Sequence, residues 1–129
     1  GIARAALEAA IRYAKEREAY GKPLTELQAV SFDLADMTMQ VEVAHQYMLY
    51  AARLTDAGLP TSMEASVAKL YASEMAEKVC SAALQVHGGY GYVNDFPVER
   101  YYRDVRVTKI YEGTSHIQKL IIARNILAG

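Results

Sequence analysis

The stretch Leu27-Gln28-Ala29-Val30-Ser31-Phe32-Asp33-Leu34-Ala35-Asp36-Met37-Thr38-Met39-Gln40-Val41-Glu42-Val43-Ala44-His45-Gln46-Tyr47-Met48-Leu49-Tyr50-Ala51 decides the fold. Apolar side chains recur along it in two heptad series: Leu27, Leu34, Val41 and Met48, and Val30, Met37, Ala44 and Ala51. A heptad spans close to two helical turns, so both series fall on one stripe of a single long helix. That stripe has to be buried lengthwise against other helices. Thr25 and Gln28 have the spacing of a capping box, which sets the start near Thr25. Gly58 and Pro60 set the end near Ala57.

The flanking sequence continues the pattern. Residues 2–19 are strong helix formers, with Ala3, Ala6, Leu7, Ala10, Ile11 and Ala14 on one face and the charged residues mostly off it. Gly21 and Pro23 close this helix, Gly21 as its C-cap. A third helix is expected over 62–87, opened by a Thr61–Glu64 box. Its many alanines suit close approach to a neighbour. Gly88-Gly89-Tyr90-Gly91 breaks the pattern, and a short helix follows at about Pro97 to Val105, capped by Asp95. The spacing of Ile117, Leu120, Ile121, Arg124, Ile126 and Leu127 marks a final helix. Ser115 and Gln118 place its start at Thr114 or Ser115. The chain therefore reads as all-α, an up-down four-helix bundle with one short extra helix.

At 129 residues and 52% hydrophobic, the chain suits one core and one domain. Its net charge of −1 gives no electrostatic footprint for nucleic acid or an anionic membrane surface. The single cysteine, Cys80, allows no internal disulfide, and the scattered His45, His87 and His116 make no zinc-type cluster. No apolar run reaches the length of a membrane span. The sequence starts at Gly1 within helix-forming residues and without an initiator Met, so it is expected to be a piece of a longer protein.

Three places could carry chemistry. Lys109-Ile110-Tyr111-Glu112-Gly113-Thr114-Ser115-His116 puts a carboxylate just ahead of a glycine turn and a helix N-terminus, where free N–H groups favour anions. Glu112 reads either as an acid placed by the helix dipole or, in a poorly solvated pocket, as a base with a raised pKa. Gln85-Val86-His87-Gly88-Gly89 is either a capped helix end or a backbone that approaches a cofactor closely. Arg17 is either a cation at a helix C-terminus or a fork for phosphate oxygens. Arg103, Asp104 and Arg106 read as a surface ion-pair set, and the methionines as core filler.

Five motifs then occur in order: Arg17-x-x-Tyr20-Gly21-Lys22-Pro23-Leu24, Gln85 to Gly91, Pro97-Val98-Glu99-Arg100, Arg103-Asp104-Val105-Arg106 and Ile110 to Ser115. Together they resemble the C-terminal helical domain of the acyl-CoA dehydrogenases, and the match runs the length of the chain. The resemblance implies a flavoprotein that oxidises the Cα–Cβ bond of an acyl-CoA thioester to a trans-2-enoyl-CoA. Glu112 would be the base, and hydride would pass to N5 of FAD. It implies FAD contacts for Arg17, Gln28, Gln85, Val86, His87, Gly88, Gly89, Thr114, Ser115 and His116, and a substrate contact for Gly113. His116 departs from the Glu or Gln common there. It further implies electron-transferring flavoprotein as partner and a homotetramer built as a dimer of dimers, in which Arg17, Gln28 and the Gln85 run reach FAD held by another subunit. The expected location is prokaryotic cytoplasm or mitochondrial matrix. The family's N-terminal helical and middle β domains are not in these 129 residues, so the isolated chain is expected to be inactive and to bind FAD weakly or not at all. An acyl-CoA oxidase and a non-catalytic oligomerisation module of the same fold are the alternatives.

Overall fold

The computed structural model describes residues 1–128. Five α-helices carry the chain: α1 (Ile2–Glu16), α2 (Gln28–Asp56), α3 (Ser62–His87), α4 (Val98–Val105) and α5 (Ser115–Leu127). Single 3-10 turns at Leu24–Glu26, Gly88–Gly91 and Arg106–Lys109 join them. Strands β1 (Glu18–Ala19) and β2 (Lys22–Pro23) form a minimal antiparallel hairpin between α1 and α2.

The axis of the bundle is α3, which packs against α1, α2, α4 and α5. Its course is parallel to α1, with Tyr13 stacked on His87 where both helices end. It is antiparallel to α2, whose Thr55 hydroxyl donates to Thr61 across the connection. The bundle expected from the heptads is therefore present: α1, α2, α3 and α5 are the four long helices and α4 the short one. One core cluster joins Ala6, Ala10 and Ala14 of α1 to Val79, Cys80 and Ala83 of α3, with Met37, Val41 and Ala44 of α2 closing it. Small side chains at this seam let the helix axes come close, and each buried methylene adds about 0.8 kcal/mol of hydrophobic stabilisation.

Several local expectations are corrected. α1 stops at Glu16, because the Arg17 carbonyl accepts from Leu24 N–H (2.9 Å) of the returning hairpin instead of continuing the helix. Gly21 is therefore no C-cap. With Tyr20 it forms the hairpin turn, both residues at positive φ (+55° and +79°), as a two-residue turn between right-twisted strands requires. Thr25 lies inside a 3-10 turn, so α2 starts at Gln28 with no side-chain cap. Thr61 does precede α3, but its hydroxyl meets Thr55 and caps nothing. Asp95 likewise makes no cap, since α4 is preceded by Pro97. In the heptad stripe Met37, Val41, Ala44 and Ala51 are buried, whereas Met48 is 46% exposed. Met39 is also exposed, so only part of the methionine set is core filler.

Candidate functional site

The Glu112 loop is built by bonds from two helices. Thr114 is the N-cap of α5 and accepts from Ile117 N–H (3.4 Å). The expected Ser115–Gln118 box is absent, because both side chains are used elsewhere. Ser115 Oγ donates to Glu74 Oε1 of α3 (2.7 Å). Gln118, the one buried side chain of α5, turns back and donates from Nε2 to the carbonyls of Glu112 and Gly113, both at 3.2 Å. From α3, Lys69 Nζ donates to that same Gly113 carbonyl (2.7 Å). Ahead of the loop, Lys109 Nζ bridges Glu74 Oε2 (2.8 Å) and Glu77 Oε2 (2.6 Å). The hydrogen bonds from Lys109 and then Ser115 hold the Glu74 carboxyl below the ordinary range, and those to Glu74 and Glu77 hold the Lys109 ammonium above it.

Between these ties the backbone takes an uncommon path. Glu112 has φ +54° and Gly113 φ +93°. Left-handed backbone at a non-glycine residue costs roughly 1–3 kcal/mol and persists where the surroundings enforce it. Glu112 is exposed, and nothing among the described residues covers it. It stands with Tyr111 at the rim of an open cavity of about 440 Å³. Ile2, Val41, Ala44, Met48, Met75 and Ala76 make most of its wall apolar, and Lys69 is among its polar members. Met48 is exposed because it faces this opening.

A second groove, of about 610 Å³, lies where α1 and α3 end. Here the structure brings together Arg17, Val86, His87, Gly88 and Gly89, with Tyr13, Tyr90 and Asp95. The Arg17 guanidinium lies 5.5 Å from the Tyr90 ring centroid and makes no ion pair among the described residues. His87 is buried, stacked on Tyr13 and edge-on to Phe96. Its Nδ1 pairs with the Ala83 carbonyl (2.8 Å), so Nδ1 carries the proton and Nε2 keeps a lone pair. That Nε2 is buried without a partner. Desolvation pushes the His87 pKa below its ordinary value, against the opposing bond to Ala83.

The glycines of this turn differ in cause. Gly88 takes φ +59° and ψ −136°, a conformation that glycine alone adopts easily. A Cβ at Gly91 would overlap the Leu84 carbonyl oxygen. Gly89 has neither reason: a Cβ there would meet nothing within 4 Å.

The remaining sites inferred from sequence lie apart. Gln28 is exposed at the start of α2, and Gln85 faces the side of α3 that carries Glu74 and Glu77, where Lys109 packs. Thr114, Ser115 and His116 belong to the Glu112 end. From Glu74, beside Ser115, to His87 at the groove, α3 rises about 20 Å. Arg106 pairs with Glu77 of α3 (3.6 Å) and not with its neighbours, so the expected surface ion-pair set is not formed among the described residues. Sequence reading missed Lys69, Glu74, Tyr13 and the true role of Gln118. The available signal for Lys69 was a single cation within the small, apolar run Ser66-Val67-Ala68-Lys69-Leu70. Among the described residues no group of His, Cys, Asp and Glu could hold a metal, and no helix is long and apolar enough to cross a membrane.

A left-handed carboxylate loop beside an apolar cavity, and an arginine-histidine-glycine groove at the other end of one helical bundle, define the class. The family model for the acyl-CoA dehydrogenase C-terminal domain matches residues 1–127, and the chain belongs to this family. It is 50% identical over 129 residues to an acyl-CoA dehydrogenase of Bacillus subtilis, covering 100% of this chain and 34% of that protein. Over 127 residues it is 47% identical to the caffeyl-CoA reductase-Etf complex subunit CarC of Acetobacterium woodii, covering 98% of this chain and 34% of that protein. It superposes on butyryl-CoA dehydrogenase from Megasphaera elsdenii with a TM-score of 0.96 at 44% identity, covering 98% of this chain and 33% of that one. The chain thus spans about a third of the length of the relatives it matches.

Proposed function

We propose that this chain is the C-terminal part of an FAD-dependent enzyme acting on the Cα–Cβ bond of an acyl-CoA thioester, with Glu112 as the base that removes the α-proton. The observation that carries this reading is the Glu112–Gly113 turn, which fixes a carboxylate at the rim of an apolar cavity of about 440 Å³. The cavity suits an alkyl chain, and Glu112 stands where the first carbons of that chain would enter. The Glu112 N–H has no backbone acceptor among the described residues and is available to a thioester carbonyl. A donor aimed at that oxygen stabilises the negative charge that develops as the α-proton leaves. Closure of further chain over Glu112 would exclude water from the carboxylate and so strengthen it as a base.

The second groove fits the diphosphate part of FAD. Arg17 offers a fork of donors with no competing ion pair, Gly89 leaves room for close approach, and His87 Nε2 lacks the donor that a ligand hydroxyl or N–H would supply. Bound FAD supplies the hydride acceptor for the β-hydrogen, while the α-proton goes to Glu112 and the Cα=Cβ bond forms. The groove lies about 20 Å along α3 from Glu74, beside the Glu112 loop, and in the proposed assembly it meets FAD held by another copy of the chain. The exposed stripe of Phe32, Met39, Val43 and Tyr50 on α2, with Ile126 and Leu127 on α5, supports self-association. A homotetramer built as a dimer of dimers accommodates both. Electron-transferring flavoprotein is the proposed electron partner. The Etf complex named for the CarC relative supports it, and that relative's designation as a reductase supports a second reading in which the same residues run in reverse. Glu112, once protonated, would then return the proton to Cα.

The test is Glu112→Gln in the full-length protein. Flavin reduction by acyl-CoA under anaerobic conditions should fall about 10²- to 10⁴-fold while FAD stays bound. Reduction at the parent rate refutes the assignment.

A further inference from the structure

Two side-chain cations, Arg4 and Lys69, line the cavity beside Glu112; Arg4 pairs with Glu42, whereas Lys69 pairs with no carboxylate among the described residues. Lys69, half-buried in the N-terminal third of α3, directs its ammonium at the Gly113 carbonyl at 2.7 Å. Gln118 of α5 donates to the same oxygen and to the Glu112 carbonyl, both at 3.2 Å. One carbonyl is therefore gripped from two helices, immediately after the residue with φ +54°. The grip is close-fitting: a Cβ on Gly113 would lie 2.7 Å from Gln118 Nε2. A non-glycine residue stays left-handed only where its surroundings hold it, and a charged donor makes the stronger hydrogen bond.

We propose that Lys69, assisted by Gln118, is a positioning residue for Glu112: by clamping the Gly113 carbonyl it holds the Glu112 backbone left-handed and its carboxylate at the cavity rim. This rests on Glu112 being the base. The Lys109 and Ser115 ties to Glu74 fix the two flanks of the loop, but neither reaches Glu112 or Gly113. Without the clamp the turn relaxes towards ordinary backbone, and the carboxylate swings from its approach to Cα. Misplacement of a reacting group by about 1 Å costs on the order of 100-fold in rate.

The experiment uses the full-length, flavin-loaded protein with Lys69→Met, which keeps the apolar stem and removes the ammonium, and Gln118→Leu as the second arm. Expected for Lys69→Met is a fall of about 10- to 100-fold in the rate constant for flavin reduction by acyl-CoA. FAD content should be unchanged and the half-saturating substrate concentration should move less than about threefold, since binding surfaces are retained. The kinetic isotope effect with α-deuterated acyl-CoA should rise, because proton removal becomes more fully rate-limiting. A merely structural loss lowers the active fraction and leaves the isotope effect where it was. The proposal is overturned if both variants reduce flavin within about twofold of the parent. It is equally overturned if the rate falls only in proportion to lost FAD with an unchanged isotope effect. Should Lys69→Met not fold, Gln118→Leu is read by the same criteria. Glu112→Gln separates the two readings: if it still reduces flavin, the base assignment fails. If it is dead while Lys69→Met and Gln118→Leu are normal, the clamp alone fails.

Discussion

Substituting Gly91 and Gly89 separately distinguishes packing from ligand access within one short turn. At Gly91 an added Cβ would overlap the Leu84 carbonyl oxygen and come within 3.1 Å of both the Leu84 carbonyl carbon and the His87 Cβ. Two of those atoms are backbone of the last turn of α3, so no flexible side chain can move aside. Overpacking of this kind costs about 1–3 kcal/mol, and the fixed Leu84 carbonyl places Gly91→Ala at the upper end, about 3 kcal/mol. For a chain of this length each kcal/mol lowers Tm by roughly 3–5 °C, so a drop of about 10–15 °C is expected. Gly89→Ala meets nothing within 4 Å and takes no left-handed φ. It should hold or raise stability by about 0.4–1 kcal/mol by restricting the unfolded chain. Thermal unfolding followed by far-UV circular dichroism compares the two. In the full-length protein the order reverses for cofactor: Gly89→Ala keeps its Tm and loses FAD affinity, because the methyl occupies the space open to the ligand. If Gly91→Ala melts within about 2 °C of the parent, or Gly89→Ala melts as low as Gly91→Ala, the steric reasoning is refuted.

The other predictions concern buried titratable groups. His87 is held neutral, with a folded pKa below its unfolded value near 6.5. Below that value the unfolded chain binds more protons than the folded one. Stability contributed by neutral His87 is therefore present above about pH 6.5 and is lost as pH falls through the window down to the folded pKa, with a slope of at most about 1.4 kcal/mol per pH unit. His87→Phe, which keeps a ring between Tyr13 and Phe96, should flatten that part of a Tm–pH profile. An unchanged slope between pH about 5 and 6.5 counts against the burial effect. The Cys80 thiol is buried and its pKa is pushed up to about 12 by desolvation. At pH about 8 its thiolate fraction is roughly 10³-fold below that of an unperturbed cysteine, so alkylation should require unfolding. Rapid labelling of the native chain by iodoacetamide contradicts this.

The helical fold was legible because its signal is local and repeated. Ala3, Ala6, Leu7, Ala10 and Ala14 are buried, as the α1 periodicity demanded, and so are Met37, Val41, Ala44 and Ala51 on α2. Capping was less legible, since a hydroxyl ahead of a helix has other partners to choose from. Thr61 met Thr55 and Ser115 met Glu74, and neither choice is encoded within the few residues of the motif. The early end of α1 has the same origin: Glu18 and Ala19 are sound helix formers, but a turn of two positive-φ residues and the Leu24 N–H supplied a competing arrangement.

By itself the sequence determined four long helices and a short one, the order of the motifs, and the pairing of an acid with a glycine at residues 112 and 113. Periodicity, glycine and proline act over a turn or two, and a single chain displays them directly. Only the tertiary structure decided that Gly113 is held by a lysine from position 69, that Glu112 is left-handed at a cavity rim, and that Arg17 shares a groove with His87 and Gly89. Those are contacts between residues some 44 to 72 positions apart. Which distant polar group satisfies which carbonyl depends on how α3 is packed within the bundle, and no local spacing records it.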